Sequence, residues 1–157
     1  MKQAKVERTS DRELVVTRTI DGPARLVYQA WTDPDLFKRW WVPKGAPMTL
    51  VSCELDVRVG GGYRLVFSMG DQQMAFFGKY LEVTPNERLV WTNDEDGPEA
   101  AAVTTVTFAE RDGTTLVTVH DLHPSKEALD AAIASGSTEG MPAQLAQLDE
   151  LVASQAA

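Results

Sequence analysis

The sequence predicts an α+β fold: a curved antiparallel sheet of about seven strands, with two short helices after the first strand and one long helix at the C-terminus. Three observations predict it. Apolar residues recur with period 2 from Val51 to His120, the spacing of half-buried strands. The runs are joined by short glycine, proline and asparagine turns, which forces antiparallel pairing. Helical spacing is confined to residues 23–41 and to the C-terminus.

Taken in order, residues 1–10 are polar and expected to fray. Ser10-Asp11-Arg12-Glu13 has the spacing of a capping box, but Leu14-Val15-Val16-Thr17-Arg18-Thr19-Ile20 follows it. That run is β-branched and lacks a helical period, so it reads as a strand. Asp21-Gly22-Pro23 ends it and opens a helix whose stripe is Leu26, Val27, Ala30 and Trp31. Asp33 caps and Pro34 begins a second helix, with Leu36, Phe37, Trp40 and Trp41 on its apolar face. Pro43, Gly45 and Pro47 end it.

Val51, Cys53, Leu55 and Val57 then alternate with polar residues and share one expected face. Gly60-Gly61-Gly62 turns the chain into Tyr63, Leu65, Phe67 and Met69. Gly70-Asp71 turns it into a long strand, 73–83, with Met74, Phe76, Gly78 and Tyr80 on one side. Pro85-Asn86 leads to Leu89-Val90-Trp91, and 93–99 is an acidic loop. Strands 103–109 and 114–120 are joined by Asp112-Gly113, a strong hairpin signal. Helix formers fill 126–134, and Met141, Leu145, Leu148 and Val152 form the stripe of the last helix. A single domain over 11–154 is expected. Its curled sheet and covering helix would leave space between them.

Composition bounds the function. The chain has 157 residues, of which 43% are hydrophobic and 24% charged, enough for a full core without staples. Its single cysteine excludes an internal disulfide framework and a cysteine-rich zinc site. A net charge of −8 and a pI near 4.7 speak against a nucleic-acid partner, since a polyanion needs clustered Lys and Arg. No apolar run approaches the ~20 residues of a membrane span, and the N-terminus has no apolar signal segment. A cytoplasmic location is expected.

Four segments carry a resemblance: Asp21-Gly22-Pro23 through Trp31-Thr32-Asp33-Pro34; Arg39-Trp40-Trp41-Val42-Pro43-Lys44-Gly45; Asp56-Val57-Arg58-Val59-Gly60-Gly61-Gly62-Tyr63-Arg64; and Gly78-Lys79-Tyr80 through Arg88-Leu89-Val90. Together they resemble the heat-shock protein 90 ATPase activator homologue-like group of the START-like (SRPBCC) superfamily, over residues 13–153. The resemblance implies a helix-grip fold with an internal apolar cavity. It implies no shared catalytic residue. Superfamily members bind lipids, hormones or polyketides, and a few catalyse reactions on them, so fold alone does not choose the function. One departure is local: where the family usually has Gly-Trp, this chain has Gly140-Met141-Pro142.

The residues expected to line the cavity are Cys53, Leu55, Leu65, Phe67, Met69, Met74, Phe76, Trp91, Met141, Leu145 and Leu148. Each is also an ordinary core residue by type. His120 and His123 stand three apart on a strand, facing opposite sides with no third ligand evident, so no metal is expected. Cys53 lies mid-strand without an activating base, which makes it a buried thiol rather than a nucleophile. Asp121 shares the parity of Val117 and Val119 and is the one strand carboxylate expected to point inward. No nucleophile elbow, phosphate loop or dinucleotide fingerprint is present, and no cofactor is expected.

Three functions stay open. The first is non-enzymatic binding of a small hydrophobic or amphipathic molecule between sheet and helix. The second is a co-chaperone-like interaction module, using a sheet edge or the acidic loop. The third is an enzyme using Asp121 or Tyr80 in acid–base work on a cavity-bound substrate. A homodimer also stays open.

Overall fold

In a computed structural model, which describes residues 4–94, 101–134 and 140–156, twelve elements follow one another. They are β1 (Lys5–Arg8), β2 (Glu13–Ile20), α1 (Ala24–Thr32), α2 (Pro34–Trp40), β3 (Thr49–Leu55), β4 (Gly62–Met69), β5 (Gln72–Thr84), β6 (Arg88–Asn93), β7 (Ala102–Arg111), β8 (Thr114–Leu122), α3 (Lys126–Ala134) and α4 (Met141–Ala156). The eight strands form one sheet in the order β1-β2-β8-β7-β6-β5-β4-β3, every pair antiparallel. The strands and helices expected from periodicity are all present. The acidic-loop residues 95–99 lie outside the described ones.

Two local differences have physical causes. Residues 5–8, expected to fray, form the edge strand β1, in register from Lys5 with Thr17 to Arg8 with Leu14. All four of its side chains are exposed, so backbone pairing and the Arg8–Asp130 ion pair hold it and no hydrophobic pattern marks it. In β3, Val51 does not share the face of Cys53. A bulge between Leu50 and Ser52 puts Leu50 opposite Phe67 and leaves Val51 51% exposed. Two residues then face one on the partner strand, and the parity inverts across them.

The sheet's inner face is sealed through its middle by Leu89, Val106, Val119 and Val16, all buried and aligned across β6, β7, β8 and β2. Over them lie Val27, Ala30 and Trp31 of α1, Phe37 and Trp40 of α2, and Leu145, Leu148, Leu151 and Val152 of α4. Each such aliphatic side chain contributes roughly 1.5–3 kcal/mol on leaving water. α4 lies against β2, α1 and α2, while α1 covers β7 and β8 and α2 covers β3.

Distant groups fix the helices. Asp33 caps α2 as expected, accepting from the Asp35 N–H at 2.9 Å. α1 is held instead by Glu110 of β7, which accepts the Ala24 N–H at 2.7 Å. The Gln147 amide of α4 donates to the carbonyls of Trp40 and Val42, both at 2.9 Å, and so binds α4 to the end of α2. Half a turn further on, Asp149 pairs with Arg18 of β2 at 3.2 Å. The first turns of α4 lie along the chain leaving α2, where Gln144 Nε2 donates to the Trp41 carbonyl and Gly140 lies beside Pro43.

Candidate functional site

The expected cavity residues of the sheet all come from strands facing the helices. Cys53 stands opposite Leu65, Leu65 opposite Phe76, and Phe67 opposite Met74. Leu65, Phe67, Leu145 and Leu148 are buried, whereas Cys53, Leu55, Met74, Phe76, Trp91 and Met141 are half-buried. Met69 stands 37% exposed beside the β4–β5 turn.

A feature absent from that set runs across the same face. It is a chain of hydrogen bonds through Tyr63, Asn93, Thr104 and Asp121, on β4, β6, β7 and β8. The Tyr63 hydroxyl lies 3.0 Å from Asn93 Oδ1 and 3.1 Å from the Thr92 carbonyl. Asn93 Nδ2 donates to the Ala102 carbonyl at 3.1 Å and to Thr104 Oγ1 at 2.9 Å. The Thr104 hydroxyl donates to Asp121 Oδ1 at 2.6 Å. Asp121 points inward, as its parity predicts. Burial raises its pKa, against the opposing pull of the Thr104 hydrogen bond and of His123 and His120.

Beside this chain is an aromatic group. Trp91 stands opposite Thr104 in the ladder. Its ring lies 6.3 Å from those of Tyr63 and Tyr80 and 5.8 Å from that of Trp31 on α1. Burial pushes the Tyr80 hydroxyl well above its ordinary range, so it stays protonated. Trp31 is 2% exposed, and its indole N–H has no acceptor among the described residues. Trp40, by contrast, donates to the Ala30 carbonyl at 2.9 Å. Trp91 and Asp121 are half-buried in a ladder row whose other members, Tyr80, Thr104 and Leu14, are buried.

Residues 21–153 match the protein family described as Activator of Hsp90 ATPase homolog 1-like protein. The chain belongs to this family. Its fold is the START-like one expected, with eight strands and four helices. A solved protein from Nitrosomonas europaea is 25% identical over 95% of this chain and 99% of its own, with a TM-score of 0.82. One from Rhodobacter sphaeroides is 20% identical over 97% of this chain and 99% of its own, with a TM-score of 0.88. One from Chromobacterium violaceum is 29% identical over 90% and 97%, with a TM-score of 0.76. No curated protein matches the chain.

The other candidates of this Activator of Hsp90 ATPase homolog 1-like chain are dispersed. His120 faces the outer side, its Nε2 2.7 Å from Glu13 Oε2. His123 follows β8, and burial lowers its pKa while Asp121 opposes the shift. Among the described residues no three His, Cys, Asp or Glu side chains converge as metal ligands. No helix among them is long and apolar enough to cross a membrane. A groove of about 260 Å³ between Val42 and α4, edged by Arg39, Lys44 and Glu150, lies on the outside of the helices.

Burial pushes the Cys53 thiol up to about 11. The expected result is alkylation at pH 8 about a hundredfold slower in the native protein than in denaturant, since only the thiolate reacts. Equal rates in the two states would put Cys53 on the solvent side.

Thr104 and Asn93 were missed in the sequence, yet each carries a usable signal. Thr104 shares the parity of Val106 and Phe108, and Asn93 that of Leu89 and Trp91. A polar residue in an apolar alternation is a group that needs a partner.

Proposed function

We propose that the protein binds a small hydrophobic or amphipathic molecule between the sheet and its covering helices, without catalysing a reaction on it. The observation that carries this reading is the Trp31 indole N–H. A buried donor without an acceptor costs about 1–3 kcal/mol, and native proteins seldom leave one so. An acceptor atom on a bound molecule would remove that cost, with apolar contacts supplying most of the affinity. Native mass spectrometry of the purified protein, with extraction of whatever is bound, tests the reading. Trp31→Phe should weaken retention of the molecule about tenfold, the worth of one hydrogen bond in a dry site, and leave the fold intact. If nothing is retained and no hydrophobic fluorescent probe binds, the reading fails.

Met141→Trp should block binding of such a probe. The larger ring would fill space between α4 and the core it packs against, at a cost of about 1–3 kcal/mol if that space is already closed. Unchanged probe binding together with an unchanged melting temperature would mean that Met141 does not face the binding region.

A second reading, docking on a chaperone, draws on the family description and on Phe77 and Leu81, exposed by 42% and 50% on β5. Stimulation of a heat-shock protein 90 ATPase by the purified chain, lost in Phe77→Ser, would favour it. No stimulation would remove it.

A further inference from the structure

Asp121 uses half of its hydrogen-bonding capacity. Thr104 holds Oδ1, and among the described residues nothing else hydrogen-bonds to the carboxyl. The Thr104 proton is free to make that bond. The Ala102 carbonyl only accepts, so it must face Asn93 Nδ2. The same nitrogen donates to Thr104 Oγ1, which leaves the Thr104 proton for Asp121.

The cations around Asp121 are engaged elsewhere. Arg18 is paired with Asp149, and Arg8 with Asp130 at 2.7 Å. Arg12 donates to the His123 carbonyl at 2.9 Å. His120 is turned to the outer face against Glu13, and burial favours the neutral form of His123. Among the described residues the Asp121 carboxyl therefore has no fixed counter-ion: burial favours its neutral form, and a cation brought against it would favour the ionised one. Its neighbours across the ladder are Thr104 and then Trp91, which carries Tyr63, Tyr80 and Trp31 around it. A carboxyl with one oxygen unpaired, on an apolar face beside the half-buried Trp91, is complementary to an ammonium group on an apolar body.

We infer, building on the binding reading above, that the ligand is a hydrophobic amine, its charged nitrogen on Asp121 Oδ2 and its apolar body along Trp91. Phenethylamine, 2-phenylethanol and phenylacetate share one carbon frame and differ in charge. Titrated at pH 7 by calorimetry, the amine should bind about tenfold more tightly than the alcohol, the worth of one charge-assisted contact. Phenylacetate should not bind. Asp121→Asn keeps the shape and can still accept from Thr104. It should bring the amine down to the alcohol's affinity and leave the alcohol unchanged. As a measurement that needs no variant, the carbon-13 resonance of the Asp121 carboxyl should move on adding the amine and stay still on adding the alcohol.

An alcohol that binds as tightly as the amine would overturn the inference while leaving the binding reading standing. So would an amine preference that survives in Asp121→Asn, or an unmoved carboxyl resonance. Failure of all three probes would also overturn it, and the extraction experiment then decides the binding reading on its own.

Discussion

Asp149→Ala is expected to cost about 3–5 kcal/mol of stability, because it strands a buried charge. Arg18 lies on the inner face of β2 between Val16 and Ile20, and its side chain is only 13% exposed, against 14% for Asp149. The Arg18 Nε already lacks an acceptor among the described residues, so the guanidinium depends on this carboxylate. The other oxygen of Asp149 accepts the Asp21 N–H at 2.7 Å and holds the turn into α1. Both functions go with the carboxylate. Chemical denaturation followed by circular dichroism measures the loss, and the melting temperature should fall by about 10 °C for a chain of this size. Replacing both partners, Arg18→Met with Asp149→Leu, should recover most of it, since the desolvation cost disappears along with the attraction. If the single substitution costs less than ~1 kcal/mol, water reaches the guanidinium and the pair is not sealed.

Gly78→Ala should cost about 3 kcal/mol, a large effect for one methyl group. A Cβ at Gly78 would stand 1.7 Å from the Thr92 carbonyl oxygen and 2.9 Å from the Tyr63 ring. The first neighbour is backbone and cannot rotate away, so β5 and β6 must separate. That carbonyl also receives the Tyr63 hydroxyl at 3.1 Å, so the damage extends into the polar chain. The loss should appear both in the denaturation midpoint and in the near-ultraviolet dichroism of Tyr63 and Trp91. Gly113→Ala is the control. Its φ of +82° strains any side chain, but nothing lies within 4 Å of a Cβ there, so its cost should stay at about 1–2 kcal/mol. Equal costs at the two glycines would remove the close approach from the account.

Local chemistry made the elements legible. Asp112 and Gly113 both take the positive φ of a tight hairpin turn, and the sequence shows this because few residue types tolerate it. Asp33 caps its own helix two residues away, and the side chains of β7 and β8 alternate without a break, which placed Asp121 inward. The site was legible only in part. Where a bulge broke the alternation at Val51, parity misled, because one extra residue leaves no trace in composition. The α1 cap supplied by Glu110 joins residues far apart in the chain, which no local pattern can announce.

The sequence by itself determined the order of the elements, the antiparallel pairing and the family, since period, turns and short motifs are local properties of the chain. Only the tertiary structure decided which polar groups meet. Tyr63, Asn93, Thr104 and Asp121 come from four strands and form one chain because the ladder register sets them side by side. Among the described residues Trp31 lacks an acceptor because α1 lays its ring against Trp91 in an apolar surround. Register and helix placement are settled by burial summed over the whole core. The chemistry of the inner face follows from that sum, not from any segment alone.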